Sequence, residues 1–106
     1  MELSNPTSVF HAIADANRRS ILDLLIDQER PVQEIVEHFE MSFQGVSQHL
    51  GVLAGAGLVT RRKEGRYRYY RADSAALEEV YDWVSRYRRF WASSLDRLGE
   101  VLDEGT

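Results

Sequence analysis

Residues 42–71 read SFQGVSQHLGVLAGAGLVTRRKEGRYRYYR, and this stretch carries the clearest structural pattern of the chain. Ser42 is a good N-cap residue, because its hydroxyl can accept a hydrogen bond from a free amide of the first helical turn. A helix over residues 43–54 is predicted after it, and Gly55 and Gly57 are expected to end that helix. The apolar residues recur at steps of three and four, and the predicted inward stripe consists of Phe43, Val46, Leu50 and Leu53.

A β-hairpin is predicted directly after this helix. The ascending strand covers residues 59–63 and the return strand covers residues 66–71, with Glu64 and Gly65 as the turn. Three tyrosines on the return strand favour extended backbone. The order of helix, turn, helix and hairpin is typical of a winged helix-turn-helix.

The hairpin concentrates positive charge in a chain that is acidic as a whole. The 106 residues carry a formal net charge of −4, yet residues 42–71 contain six basic residues and only one acid, Glu64. This segment is therefore +5 and the remainder is −9. Because a phosphate responds to charges within about one Debye length, roughly 10 Å, a local basic patch can bind nucleic acid on an acidic protein. A basic hairpin that is merely solvated is the alternative.

Three short helices are predicted before this stretch. The first covers residues 7–14, the second covers residues 16–27 with Asp15 as its N-cap, and the third covers residues 32–39 with Pro31 at its first turn. Each carries apolar residues at helical spacing on one face, so each can pack on a shared core.

One long helix is predicted after the hairpin, from Ala75 to about Leu102, with Asp73 or Ser74 as its cap. A helix of about 28 residues spans roughly 42 Å. A small domain cannot cover so long an apolar face, so we expect part of it to pack on a second copy of the chain; a helix folded back on its own domain is the alternative. The residues assigned to this dimer interface are Val9, Leu77, Val84, Tyr87, Trp91, Leu95 and Leu98.

The predicted fold is mainly α with a small β-hairpin wing, in the order α-α-α-α-β-β-α. Residues 1–106 form one winged helix-turn-helix domain, with a dimerisation helix at about residues 75–102. Such a fold places the second helix of the helix-turn-helix in the DNA major groove. The outward face of that helix is polar and uncharged, and its amides and hydroxyls can hydrogen-bond base edges and phosphates. The residues predicted to contact double-stranded DNA are Ser42, Gln44, Gly45, Ser47, Gln48, Arg62, Lys63, Arg66 and Arg68.

Four short stretches, in this order, resemble the ArsR-type (arsenical-resistance repressor) family of winged-helix regulators. They are FHAIADANRR at residues 10–19, VSQHL at 46–50, AGLV at 56–59 and GRYRYYR at 65–71. The resemblance covers roughly residues 9–102. It implies a homodimer formed through the first and last helices, and repression of transcription by operator binding. It also places Gln44, Ser47 and Gln48 at the family's recognition positions, whereas His49 lies closer to the inward stripe and is interpreted as structural.

The chain departs from the metal-sensing members of that family. Those members carry a Cys-x-Cys pair on the helix corresponding to residues 32–39, or His and carboxylates on the last helix. This chain has no Cys, its predicted last helix has no His, and its three His residues fall on three different elements. A zinc site needs ligands that converge, so we expect no metal and no cofactor. The sequence thus favours a metal-independent repressor, with its own operon as one candidate target.

Three other functions are alternatives. A stripe of aromatic residues on the last helix could line an effector pocket at the dimer interface, which leaves an unidentified organic or protein inducer open; its members are Tyr81, Trp83, Tyr87, Phe90 and Trp91. An enzyme would need a nucleophile or base with an orienting partner, or a glycine-rich phosphate loop, and neither pattern occurs. A protein-interaction module that has lost DNA binding is the third.

The sequence favours a cytoplasmic location. The chain has no cysteine for disulfides, no signal-peptide pattern at its start and no apolar run long enough to cross a membrane.

Overall fold

The computed structural model describes residues 8–90 and residue 92. The elements are α1 (Val9–Ile13), α2 (Ala16–Leu25), β1 (Arg30–Pro31), α3 (Val32–Glu37), α4 (Phe43–Gly55), β2 (Val59–Glu64), β3 (Tyr67–Ala72), a 3₁₀ turn (Ser74–Leu77) and α5 (Glu78–Ser85). The predicted fold, mainly helical with a β-hairpin wing, is confirmed.

Side chains cap the first two helices, where the first backbone amides have no helical partner. Ser8 Oγ accepts a hydrogen bond from the His11 amide at 3.0 Å. Asp15 Oδ1 accepts from the amides of Asn17 at 2.8 Å and Arg18 at 3.1 Å, which confirms Asp15 as the N-cap of the second helix. The hydrogen bond from the Arg18 amide, reinforced by that from Asn17, holds the pKa of the Asp15 carboxyl below its usual value.

The structure contains a third strand that the sequence does not predict. β1 pairs antiparallel with β3, with Arg30 opposite Tyr70 and Pro31 opposite Tyr69. The sheet order is β1-β3-β2, so β1 and β2 lie at the two edges. Two residues are too few to show an alternating pattern, and proline is tolerated at an edge because it has no amide to donate. α3 begins at Val32, as predicted.

α4 ends where the sequence predicts. Gly55 is its last helical residue, and Gly57 adopts a left-handed φ of +79° just after it, so the prediction that these two glycines end the helix is confirmed. The amide of Leu58 donates to the carbonyl of Leu53 at 2.9 Å, and that of Gly57 donates to Ala54 at 3.0 Å. This pair of bonds is a Schellman motif, which turns the chain from α4 into β2.

The turn of the hairpin lies one residue later than predicted. Glu64 pairs with Tyr67, which leaves Gly65 and Arg66 as a two-residue loop, so the predicted turn at Glu64 and Gly65 is wrong. Gly65 has a φ of +63°, and two-residue hairpin loops favour glycine at this first position. Because side chains alternate between the faces of a strand, Arg61 and Lys63 share one face of the hairpin with Arg68, and Arg62 lies on the other face.

One hydrophobic core lies between the helices and the sheet. Its fully buried side chains are Ile21, Leu25, Ile35, Val46, Leu50, Leu53 and Leu58. Phe43 is predicted to belong to the same inward stripe, but it is 56% exposed, and that prediction is wrong. Helical side chains lean toward the N-terminus of their helix, so the first residue of α4 points past the end of the core.

The predicted single long helix is interrupted in the part of the chain that the structure describes. Asp73 Oδ1 accepts from the Ala75 amide at 3.0 Å, which confirms Asp73 as a cap, but a 3₁₀ turn precedes α5. After α5, the amides of Arg86 and Tyr87 bond to carbonyls three residues back, at 3.2 and 3.0 Å, and residues 88–90 are helical again. The prediction of one continuous α-helix from Ala75 to residue 90 is therefore wrong, because hydrogen bonds that span three residues replace the α-helical pattern at Ser74–Leu77 and again at Arg86 and Tyr87.

The residues assigned to the dimer interface have different surroundings. Val9 is only 6% exposed within one protomer, whereas its neighbour Phe10 is 37% exposed and Tyr87 is 47% exposed. Leu77 and Val84 are half-buried. Val9 therefore belongs to the core of the protomer, and Phe10 is an exposed apolar side chain on α1. Three further assigned residues, Trp91, Leu95 and Leu98, lie outside the described residues.

Candidate nucleic-acid interface

α4 presents a polar face opposite the core. Gln44 and Gln48 are exposed on this face, while Val46 and Leu50 on the opposite side are fully buried. Burial of the apolar side fixes the rotation of the helix about its axis, so the two amides face away from the domain. Ser47 is half-buried at the edge of the polar face.

Ser42 and Gly45 form the start of α4. Ser42 Oγ accepts a hydrogen bond from the Gly45 amide at 3.0 Å. A Cβ atom on Gly45 would lie 3.3 Å from Ser42 Oγ, so a larger residue would press on the cap. Both residues thus have a structural role in positioning the helix, and their contact with DNA stays a prediction.

A groove separates α4 from the hairpin formed by β2 and β3, which we call the wing. It has a volume of about 700 Å³ and is open to solvent. Its lining from the helical side is Val32, Gln33, Phe43, Ser47, Leu50, Gly51 and Ala54, and its lining from the wing is Arg61, Lys63, Gly65, Arg66, Arg68 and Tyr70. None of these described lining residues is acidic, so the groove combines neutral and apolar groups on one wall with four cations on the other.

The strand register sorts the basic residues of the wing between two faces. Arg61 lies opposite Tyr70, and Lys63 lies opposite Arg68, on the face that lines the groove. The predicted residues Lys63, Arg66 and Arg68 thus come together there, with Arg61, which the site prediction omitted. The alternation of residues 59, 61 and 63 along one face could have identified it, because Val59 is the apolar residue of that face.

Arg62 lies apart from the other predicted DNA contacts. It points from the opposite face of the wing, where its Nε donates to Glu29 Oε2 at 2.8 Å and its Nη2 donates to Glu29 Oε1 at 2.9 Å. A third nitrogen pairs with Glu64, and the guanidinium carbon lies 4.7 Å from the centre of the Tyr69 ring. The hydrogen bond from Arg62 lowers the pKa of the Glu29 carboxyl. Arg62 therefore ties the wing to the segment before β1.

A second arginine links α4 to the start of the chain. Arg18 donates through Nε to the Ala12 carbonyl at 2.7 Å and through Nη2 to the His11 carbonyl at 3.2 Å. Its Nη1 lies 3.2 Å from Nδ1 of His49, and since guanidinium nitrogens only donate, this imidazole nitrogen accepts. This contact agrees with the prediction that His49 is structural.

No group of three or more His, Cys, Asp or Glu side chains that could hold a metal ion occurs among residues 8–90 and 92. His38 instead bonds through Nδ1 to the Glu34 carbonyl at 3.0 Å, on its own helix. None of the helices in the described part of the chain combines the length and apolar character that crossing a bilayer requires.

Comparison with known proteins identifies the family. Residues 15–61 match the family described as "Bacterial regulatory protein, arsR family". The Bacillus subtilis "Transcriptional repressor SdpR" is 34% identical over 80 residues, which span 76% of this chain and 89% of that protein. The chain belongs to the ArsR family. This ArsR-family protein is therefore a DNA-binding transcriptional regulator rather than an enzyme.

Two further similarities concern the fold and the direction of regulation. The "Transcriptional activator HlyU" of Vibrio cholerae is 35% identical over 75 residues, 71% of this chain and 69% of that protein. The crystal structure of a "Possible transcriptional regulator for arsenical resistance" superposes with a TM-score of 0.66 at 42% identity, covering 82% of this chain and 88% of that one. The relatives of this ArsR-family protein thus include both a repressor and an activator.

Proposed function

We propose that this ArsR-family protein is a homodimeric, metal-independent repressor that inserts α4 into the major groove of its operator and lays the wing on the flanking backbone. The observation that carries the proposal is the groove between α4 and the wing. Its helical wall includes the Ser47 hydroxyl, and its other wall offers cations for phosphates. Gln44 and Gln48 are exposed on α4 outside the lining of the groove, and their amides are available for base edges. A B-DNA backbone strand beside the major groove would meet both walls at once.

The four cations of the groove are available for phosphates. Among the described residues, Arg61, Lys63, Arg66 and Arg68 are all exposed, and the ion pairs of the wing involve only Arg62. A cation without a carboxylate partner has no ion pair to break on binding DNA. Contact with phosphate releases condensed counterions, which supplies affinity for any sequence.

Dimerisation is supported by a partly exposed group of aromatic side chains on α1 and at α5. Phe10 and Trp83 pack edge to face with ring centres 5.9 Å apart, and Trp83 contacts Tyr87 in the same manner at 5.5 Å. These three rings remain 37–47% exposed and together form what we call the aromatic face. The charges alongside change sign, from Glu78, Glu79 and Asp82 to Arg86, Arg88 and Arg89. An antiparallel two-fold pairing would bring opposite charges together.

The decisive experiment compares a variant of the polar face of α4 with variants of the wing. Operator sites are first found by footprinting on host DNA, and a salt series then gives the Kd for operator and for scrambled DNA. Gln48→Ala should weaken the operator complex by about 1–3 kcal/mol and leave scrambled DNA nearly unaffected, because an amide can pair bidentately with adenine. Arg66→Ala or Arg68→Ala should weaken both DNAs alike and flatten the slope of log affinity against log salt by about 0.9 per lost phosphate contact.

Arg62→Ala is the matched control for the arginine variants. It removes the same charge from the same hairpin, but from the face turned away from the groove. The salt slope should therefore change less than in Arg66→Ala. Equal loss on both DNAs for Gln48→Ala, or an unchanged salt slope for the two groove arginines, would show that the proposed docking is wrong.

The direction of regulation is tested in cells with a reporter fused to a footprinted promoter, including that of the protein's own operon. Deletion of the gene should raise reporter expression, and reintroduction of the intact chain should lower it. Reintroduction of Gln48→Ala should not. A fall in expression on deletion would identify an activator and overturn the repressor assignment while leaving DNA binding intact.

Metal independence is tested by titration of the protein–operator complex. Zinc, cadmium, nickel and arsenite should leave the operator Kd unchanged, because an effector shifts an equilibrium only by binding the two states with different affinity. The chain has no cysteine thiolate, and residues 8–90 and 92 contain no cluster of three or more His, Cys, Asp or Glu side chains that could hold a metal ion. Stoichiometric release of DNA by zinc, reversed by a chelator, would contradict this proposal.

A further inference from the structure

Phe43 is a large aromatic side chain exposed at the start of the recognition helix. It is the first residue of α4, directly after the Ser42 cap, and 56% of its surface is exposed. Its side chain lines the groove on the same wall as Ser47 and Gly51, which follow at intervals of four residues. The N-terminal residues of a recognition helix are those that reach base edges. An apolar ring therefore occupies a position where hydrogen-bonding groups are expected.

The core does not explain this position. Val46 and Leu50, which follow Phe43 at helical spacing, are completely buried, whereas Phe43 keeps more than half of its surface in solvent. The aromatic face does not explain it either, because the described residues that line the groove include none from α1 or α5. With the core and the aromatic face set aside, the remaining candidate partner for the Phe43 ring is DNA bound along α4.

B-DNA offers one apolar group in the major groove, the 5-methyl group of thymine. We propose that Phe43 reads this methyl group and so makes the protein specific for thymine at one position of each operator half-site. This inference rests on the proposed docking of α4 and adds a residue that acts by apolar contact rather than by hydrogen bonding. Burial of one methyl-sized group is worth about 0.8 kcal/mol, so its loss should weaken binding about fourfold.

The test removes methyl groups from the DNA without altering base pairing. In the footprinted operator, each thymine is replaced in turn by deoxyuridine, and the Kd is measured by fluorescence anisotropy with the full chain. One thymine per half-site should show about fourfold weaker binding after replacement. The same series is then measured for Phe43→Ala, in which that ratio should fall to about one, and for Phe43→Leu, which keeps an apolar group and should retain part of it.

Gln48→Ala is the matched control, because it alters an exposed residue of the same helix that lacks an apolar side chain. It should weaken binding to the operator yet keep the fourfold ratio between thymine and deoxyuridine. Thermal unfolding of each variant establishes that it is folded; if Phe43→Ala does not fold, Phe43→Leu and the scan with the unmodified chain still decide the matter.

Two outcomes would overturn the inference alone. One is that no thymine of the operator shows a methyl effect with the unmodified chain. The other is that the effect persists undiminished in both Phe43 variants, so that a different residue reads the methyl group. If the unmodified chain binds operator and scrambled DNA equally, the proposed function itself fails, and this inference fails with it.

Discussion

At the scale of single residues, the wing separates basic side chains by function although the sequence shows only a run of positive charge. Arg61 and Lys63 line the groove, but Arg62 between them binds Glu29 and Glu64 on the opposite face. Composition alone predicts six equivalent cations. Their division depends on strand alternation and on Glu29, which lies more than thirty residues away in sequence, so tertiary structure is needed to identify it.

The pairing of Glu29 with Arg62 makes the attachment of the wing sensitive to acid. Because the pKa of Glu29 is lowered in the folded protein, its contribution to stability is present above the usual carboxyl pKa and is lost as the pH falls through the folded value. NMR titration of the Glu29 carboxyl should show a pKa below the usual value, and Arg62→Ala should raise it toward that value. Asp15 is the internal control, since its pKa is lowered chiefly by the Arg18 amide and should not respond. An unchanged Glu29 titration in Arg62→Ala would contradict the pairing.

At the scale of elements, the sequence predicts the features that nearby side chains determine, such as the starts of helices. The starts of α2 and α4 follow from Asp15 and Ser42, whose side chains make the expected caps. β1 was missed because its two residues are held by β3 rather than by any pattern of their own. The position of the hairpin turn depends on the positive φ of Gly65, which a pattern of apolar residues does not reveal. Arg61 and Arg62 fall on opposite faces because side chains alternate along β2, and the site prediction did not apply that alternation.

Two glycines of the groove should respond in opposite ways to alanine. Gly65 has a φ of +63°, and a Cβ atom there would cost about 1–2 kcal/mol, so Gly65→Ala should lower the free energy of unfolding. Gly51 lies inside α4, where an added Cβ atom would meet nothing within 4 Å, so Gly51→Ala should raise the free energy of unfolding by about 0.5–1 kcal/mol. Urea unfolding of both variants measures the two signs. Equal effects would show that the backbone at Gly65 is not held in this conformation.

At the scale of the whole molecule, the proposed dimer rests on the partly exposed aromatic face. The intact chain should sediment as a dimer at micromolar concentration. Trp83→Ala should weaken the dimer by about 2 kcal/mol or more, because truncation of a central interface tryptophan leaves a cavity and loses a large contact area. Ile26→Ala is the control, since Ile26 is 65% exposed, lies just after a different helix and should leave the dimer intact. A monomer at micromolar concentration would contradict the dimer.

Arg18 connects the aromatic face to α4. Phe10 on α1 packs on Trp83 of α5, and the carbonyls that end α1 are held by the same guanidinium that contacts His49 on α4. The five-residue helix α1 thus connects the proposed dimer interface to the proposed DNA-binding helix α4. Major grooves on one side of the double helix recur about every 34 Å. In the proposed dimer, the length and tilt of α1 therefore help to set the distance between the two α4 helices. That distance limits how many base pairs can separate the two halves of an operator.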